Sequence, residues 1–450
     1  MAGMPGALIL YSRTQYLVPA IMTYSQTIQF LYSRLPAYHR IGKAAYKNNL
    51  FNSLELDSYF DHPHLRYRTI HVAGTNGKGS VSHMIASVLQ EAGFVTGLYT
   101  SPHLKDFRER IRVNGKMITK KEVKEFVERH TEIINSLKPS FFELAVAMAF
   151  DHFALKGVDV AIIETGLGGR LDSTNIINPI LSVITNIGHD HMDLLGGTLE
   201  KVAAEKAGII KQNIPVVIGE SLHETRDVFI NSAIRTLSEI YFADKNYKCI
   251  LGDSLGKTGE RDFMMRIRAE KRDITGIIPL GGDYQAKNLQ TLFQVCKCIR
   301  KSFDLTERSI LLGIRNVITN TGLMGRWQVL SNKPFVICDT GHNKEGLEYV
   351  IRQIGLIKAN EVHFVIGFVS DKDLSLILPL FPDNAQYYFT RASVPRALDE
   401  KILKKEASRF DLKGDCFPSV KIAYEAALKN ASPDDLVFIG GSTFVVAEVL

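Results

Sequence analysis

Thr69-Ile70-His71-Val72-Ala73-Gly74-Thr75-Asn76-Gly77-Lys78-Gly79-Ser80 runs from a short β-rich segment through three glycines into an apolar helical face at Val81, Ile85, Val88 and Leu89. Strand, loop, helix is the context a phosphate-binding loop requires. Glycines let backbone N–H groups face phosphate oxygens with no Cβ in the way, and the helix N-terminus adds partial positive charge. On this reading Gly74, Thr75, Asn76, Gly77 and Gly79 line ATP, Lys78 meets its β- and γ-phosphates, and Ser80 ligates Mg²⁺. The loop departs from the common G-x-x-x-x-G-K-[ST] form, because Val72 stands five before Gly77 and Gly79 separates lysine from hydroxyl. Taken alone, these residues also suit a glycine-rich turn between a strand and a helix.

Working outward, Gly93 sits where a helix C-cap belongs and residues 94–99 read as the next strand. Nearly continuous apolar runs recur at 158–163, 180–187 and 214–218, as in strands buried on both faces. An α/β fold with a mostly parallel, helix-covered sheet follows. Residues 261–268 alternate and are more polar, which suits an antiparallel edge or a small side sheet. Asn, Thr and Gly crowd residues 316–324, the expected linker, after which strand-like runs resume at 335–338, 362–368, 386–390 and 436–439. The expected division is an extension at 1–21, disordered or upstream of the functional start, an ATP-binding domain at 22–315, and a smaller Rossmann-like α/β domain at 325–450. A helical period with Tyr24, Ile28, Leu31, Tyr32 and Leu35 on one face opens at Met22.

Composition narrows the class. Five cysteines without a C-x-x-C pair or a histidine cluster at zinc spacing point to a reducing compartment, the cytoplasm. Lys and Arg outnumber Asp and Glu by 54 to 48, a mild excess that suits anionic small molecules; no basic run argues for nucleic acid. No stretch of 18 apolar residues exists, so no membrane span is expected.

The Gly-Thr-Asn-Gly-Lys-Gly-Ser loop resembles that of the Mur-ligase superfamily. Further segments narrow the resemblance to the folylpolyglutamate synthase/dihydrofolate synthase branch. They are Ser101-Pro102-His103-Leu104, Glu109-Arg110-Ile111, Phe142-Glu143, Glu164-Thr165-Gly166-Leu167-Gly168-Gly169-Arg170-Leu171-Asp172-Ser173-Thr174-Asn175, Asp190-His191, Glu205-Lys206-Ala207-Gly208-Ile209, Gly325-Arg326 and Asp339-Thr340-Gly341-His342-Asn343. They follow the family's order from about Met22 to the C-terminus. The resemblance implies an ATP- and Mg²⁺-dependent acid–amino-acid ligase that phosphorylates a carboxylate and then joins it to the amine of L-glutamate. The acceptor would be dihydropteroate, a reduced folate, or both; an extension-only folylpolyglutamate synthase is the nearest alternative. A monomer is implied, and a monovalent cation is admitted beside Mg²⁺.

The same resemblance implies roles residue by residue. Ser80, Glu164 and His191 would hold metal, and a strand-end carboxylate such as Glu164 is costly to bury without a cation. Lys206 would be carbamylated, which needs partial burial to keep the amine neutral; with His191 and Glu164 it forms the expected catalytic set. Asn288 would meet the adenine edge and Arg326 the γ-phosphate, while Asp339 and His342 would close over ATP from the second domain. Lys344 stands where the family usually has proline after His-Asn, which leaves that loop's rigidity open. Ser101, Pro102, His103, Phe142 and Asp172 fall in segments used around the pterin. Phe142 could stack on a flat ring, and Asp172 could bond ring nitrogens or orient Arg170. A reading of a different class, a phosphate-loop ATPase or binding protein without ligase chemistry, leaves residues 164–175 unexplained.

Overall fold

The computed structural model describes residues 22–35, 49–254 and 259–450. The expected extension at 1–21 lies outside them.

Seventeen strands are described among these residues. The first eight, β1 (Arg68–Ala73), β2 (Thr96–Tyr99), β3 (Ile111–Val113), β4 (Lys116–Met117), β5 (Val160–Glu164), β6 (Leu181–Ile184), β7 (Val216–Ile218) and β8 (Ile240–Phe242), form one sheet. Its order is β4-β3-β2-β5-β1-β6-β7-β8. Strands β1, β2, β5, β6, β7 and β8 run parallel, whereas β3 pairs antiparallel with β2 and β4 antiparallel with β3. Every residue of β5 and β6 is buried, because helices cover both faces. Helices Lys78–Glu91 and Gln285–Phe303 pack Val81, Ile85, Leu289 and Leu292 against one face, and helix Phe141–Leu155 packs Phe150 and Phe153 against the other. Ser140 caps the latter helix through a reciprocal capping box with Glu143.

Strand β1 lies between β5 and β6, so the loops leaving these three C-terminal ends are neighbours. They carry the phosphate loop, Glu164 with the turn after it, and residues 185–191. This is where open α/β sheets gather ligands.

Strands β9 (Tyr247–Ser254), β10 (Arg261–Ile267) and β11 (Arg272–Ile278) form a separate antiparallel sheet. The alternating run expected as an edge or small side sheet is its central strand, with Phe263, Met265 and Ile267 facing the core.

The remaining strands, β12 (Gln328–Asn332), β13 (Phe335–Cys338), β14 (Val362–Ile366), β15 (Gln386–Thr390), β16 (Gly414–Phe417) and β17 (Leu436–Gly440), form a sheet in the order β12-β13-β17-β14-β15-β16, parallel except for β12. Its core, with Trp327, Ile337, Leu347, Phe364, Phe389 and Phe438, is distinct from those of the first sheet.

Part of the expected linker is ordered. Residues Val317–Thr321 form a helix ended by Gly322 in the left-handed region, φ +66°. Asn316 and Asn320 each donate to Glu91 at 2.8 Å, and Thr321 Oγ1 lies 2.8 Å from His83 Nδ1. Residues that favour loops on propensity are held helical here by tertiary bonds. Among the described residues no helix is long and apolar enough to cross a membrane, and all five cysteines are free.

Candidate active site

The phosphate loop is braced by the segment after β6. Asn76 N–H donates to Asn186 Oδ1 at 2.8 Å, Thr185 Oγ1 donates to the Asn76 carbonyl at 2.6 Å, and Gly188 N–H donates to Thr75 Oγ1 at 3.0 Å. Gly77 has φ +81°, and a Cβ there would collide with Asn288 Oδ1, so glycine is required on both counts. No side chain caps helix Lys78–Glu91, which leaves its first N–H groups as anion donors.

Two lysines converge on one carbonyl oxygen. Lys78 Nζ donates to the Gly74 and Thr75 carbonyls at 3.0 and 3.2 Å, and Lys206 Nζ donates to Gly74 at 2.8 Å. Lys206 comes from helix Leu199–Ala207 and is 4% exposed. Burial first, and the Lys78 charge second, lower its pKa from 10.5 to about 7. A substantial fraction of the amine is therefore neutral at physiological pH, which reaction with CO₂ requires.

Glu164 ends β5 and is also buried. Burial raises its pKa to about 7 against the opposing pull of Lys78, the Ser101 N–H (3.3 Å), Arg326 and Arg110. A Cβ on Gly79 would lie 3.7 Å from Glu164 Oε2 and 3.5 Å from Arg326 Nη2, so both reach the start of the phosphate-loop helix. The neighbouring Ser80 is buried, its hydroxyl accepting from Gln285 Nε2 at 3.4 Å, and Gln285 is in turn bonded by Asn288 at 2.8 Å. His191 has φ +52°, and burial lowers its pKa to about 4, so its imidazole is neutral at pH 7.

The donor chemistry fits a magnesium ion with a nucleotide phosphate: a hydroxyl, a buried carboxylate and a neutral imidazole beside a cationic loop. Two of the expected ligands line different cavities. Glu164 lines a cavity of about 60 Å³ with Gly79, His83, Arg112 and Arg326, whereas His191 lines a larger one; Ser101 and Pro102 border both. Among the described residues no group of three His, Cys, Asp or Glu side chains forms a metal cluster.

The larger cavity, about 250 Å³, opens between the two parallel sheets' loops. Phe142, Leu167 and Leu171 from the first domain and Val369 and Phe444 from the second give it apolar walls, and Arg110, Lys372 and Arg396 supply cations. Phe142 lies against Gly166, where a Cβ would come within 2.5 Å of its ring.

Asp172 lines this cavity, but its oxygens are largely engaged. They accept from the Gly166 and Leu167 N–H groups at 2.9 Å each and from Thr174 N–H and Oγ1 at 3.0 and 2.5 Å. Arg170 pairs with Glu205 at 2.8 Å. His103 borders the smaller cavity, bonded to Tyr32 OH at 2.8 Å and to Arg110 Nε at 2.7 Å.

The second domain contributes three further expected residues. Arg326 bonds Thr340 Oγ1 and the Gly325 carbonyl. Asp339, 2% exposed, already accepts from Tyr284 OH at 2.6 Å, Trp327 N–H at 2.7 Å and Gly341 N–H at 2.7 Å. It secures the loop that carries Arg326. His342 lines the larger cavity, its Nε2 lying 3.4 Å from Asp190 Oδ2, while Asp190 Oδ1 takes Lys372 Nζ at 2.6 Å. Asn343 caps helix Lys344–Ile354 through Gly346 N–H at 2.9 Å and exchanges amide bonds with Asn76 at 3.1 and 3.2 Å. The loop lacking proline is held by this asparagine.

Sequence reasoning missed Lys372, Arg396 and Phe444. The first two stand in polar loops after β14 and β15, where a charge resembles any solvated one. Arg110 was legible only as part of a matched segment.

The Mur ligase middle domain model matches residues 72–293 and the Mur ligase, glutamate ligase domain model matches residues 325–443. A dihydrofolate synthase/folylpolyglutamate synthase of Bacillus subtilis is 32% identical over 420 residues, covering 90% of this chain and 95% of the relative. A probable bifunctional folylpolyglutamate synthase/dihydropteroate synthase of Haloferax volcanii is 30% identical over 95% of this chain, which spans 50% of that longer relative. Among solved structures, E. coli FolC in complex with DHPP and ADP superposes with TM-score 0.80 at 27% identity, covering 96% of this chain and 97% of that one. A bifunctional folylpolyglutamate synthase/dihydrofolate synthase with Mn, AMPPNP and L-glutamate bound gives TM-score 0.80 at 26% identity, covering 96% and 98%. With both domain models matched in order and the Bacillus likeness running through nine-tenths of its length, the chain belongs to the folylpolyglutamate synthase/dihydrofolate synthase family of Mur ligases.

Proposed function

We propose that this chain is a monomeric, cytoplasmic ligase that uses ATP and Mg²⁺ to add L-glutamate to dihydropteroate, to the γ-carboxylate of reduced folates, or to both. The observation that carries the reading is the cavity between the two domains. It joins flat apolar walls, suited to a pterin and its aromatic extension, to three cations suited to carboxylates, and it borders the phosphate-loop corner at Ser101 and Pro102. The relatives solved with ADP and DHPP, and with AMPPNP, Mn and L-glutamate, support the same set of small molecules.

Amide formation at neutral pH needs the acceptor carboxylate made electrophilic. Its oxygen attacks the γ-phosphorus and ADP leaves; the glutamate amine then attacks the acyl carbon and phosphate leaves. Lys78 and the first N–H groups of its helix hold the phosphates, Arg326 meets charge gathering on the transferred group, and Asn288 faces the base. Ser80, Glu164 and His191 are the residues that would hold Mg²⁺, which would neutralise charge gathering on the phosphates. Lys206, partly neutral near pH 7, is the residue to be carbamylated. Phe142 stacks on the pterin, and Lys372 and Arg396 attract the carboxylates of glutamate.

A coupled phosphate-release assay tests the reading. It is run with dihydropteroate and separately with tetrahydrofolate, each with and without glutamate. Release that needs an acceptor and glutamate together is expected, and the productive acceptor separates bifunctional from extension-only activity. Release indifferent to glutamate would defeat the ligase reading.

A further inference from the structure

Tyr284 belongs by sequence to the first domain and immediately precedes helix Gln285–Phe303, yet its ring packs into the core of the second. Its hydroxyl donates to Asp339 Oδ2 at 2.6 Å, the oxygen that also accepts from Trp327 N–H at 2.7 Å. One carboxylate thereby ties the residue after Arg326 to the first turn of the helix that presents Gln285 to Ser80 and Asn288 to Gly77. The tie is reinforced on both sides. Asp283 N–H donates to Gln353 Oε1 at 2.7 Å, and Gln353 Nε2 donates to the Gly281 carbonyl at 2.8 Å. Trp327 packs on Gly281 so closely that a Cβ there would lie 2.6 Å from its Cδ1. Arg261 anchors the same segment from β10 through Asp283 and the Gly281 carbonyl.

We infer that residues 281–284 are the pin on which the second domain is set against the phosphate loop, and that Tyr284 is a positioning residue for Arg326. This rests on the ligase reading for its rate consequence, but not for its geometry. Arg326 has its backbone secured one residue on by Asp339 and its guanidinium by Thr340, which follows Asp339 in the chain. Whatever turns Asp339 turns Arg326. The hydroxyl of Tyr284 is the bond that refers Asp339 to the helix carrying the nucleotide-facing side chains. Losing a hydrogen bond to a buried carboxylate typically costs enough for a roughly 10-fold effect on a step that depends on alignment. Ground-state nucleotide binding, made mainly by the first domain, depends on it little.

The test compares wild type with Tyr284→Phe and with Gln353→Leu, which breaks the adjacent tie without touching Asp339. Two measurements are made on the full chain. Steady-state kinetics should show kcat lowered roughly 10-fold in Tyr284→Phe and less in Gln353→Leu, with KM for ATP within about twofold of wild type. Single-molecule energy transfer between one dye in each domain, without substrates, should show a broader interdomain distance distribution in both variants. An unchanged distribution overturns the positioning role whatever happens to kcat, as does a loss confined to the KM for ATP. If wild type itself shows no glutamate-dependent turnover, the ligase reading fails while the distance measurement still judges the pin.

Discussion

Replacing Lys206 by methionine should make the empty protein more stable while removing its activity. The folded pKa of Lys206 is about 7 against 10.5 for an unburied lysine. Because the folded value is the lower one, the folded state binds fewer protons between the two pKa values. The ionised lysine therefore opposes folding fully below pH 7, and the opposition fades as pH climbs toward 10.5. Linkage gives a penalty of about 5 kcal/mol at pH 6, about 4 at pH 7 and about 2 at pH 9. Methionine keeps the stem's packing and loses one hydrogen bond, worth about 1 kcal/mol. The Gly74 carbonyl is not stranded by the change, since Lys78 Nζ still donates to it at 3.0 Å.

Net stabilisation should therefore be about 3 kcal/mol at pH 7 and near 1 kcal/mol at pH 9. The assay is urea unfolding of nucleotide-free protein in CO₂-free buffer at pH 6, 7, 8 and 9, since carbamylation would replace the ammonium by an anion. The slope carries the inference: the gap between variant and wild type should shrink by about 2 to 3 kcal/mol from pH 6 to pH 9. A gap constant across that range would mean that Lys206 does not titrate there, and the argument that its amine is available to CO₂ would fall with it.

Glu164→Gln should fold with thermal stability equal to or above wild type, because burial disfavours its charge, yet lose at least about 100-fold in phosphate release. Phe142→Ala should raise KM for the folate acceptor about 10-fold and leave KM for ATP unchanged, since its ring faces the larger cavity and not the phosphate loop. Lys372→Gln should raise KM for glutamate about 10-fold and steepen its dependence on salt less than wild type, measured between 50 and 200 mM NaCl as roughly bracketing physiological strength.

The parallel architecture was legible because its strands are buried on both faces: Val160–Glu164 and Leu181–Ile184 read as unbroken apolar runs for that reason. Strands with one exposed face left weaker marks. The edge strands β12 and β16 are half-exposed and carry Gln328, Ser331 and Asp415, so no period distinguishes them from loop. The helix Val317–Thr321 was hidden for the opposite reason, its asparagines being loop formers recruited by Glu91 from a distant helix. The site divides along the same line. Its glycines and the Glu164–Asn175 turn are local and appear as motif, whereas Lys372, Arg396 and the engagement of Asp339 by Tyr284 depend on which loops meet across the cleft. No spacing within either segment encodes that meeting.

Glu164 and Lys206 are displaced in opposite directions to the same value, about 7 in each case. A direct ion pair would have cancelled both shifts, moving the acid down and the base up. The fold withholds it: Glu164 accepts from the Ser101 N–H, and Lys206 spends its bond on a carbonyl of the phosphate loop. Between them stands Lys78, whose charge lowers both pKa values, ionising the acid and neutralising the amine. Both effects run toward the state the chemistry needs, a carboxylate ready for a cation and an amine ready for CO₂. A substitution at Lys78 would thus remove a phosphate contact, protonate Glu164 and charge Lys206 together. Its effect on turnover measures three linked losses and cannot be assigned to the phosphate contact alone.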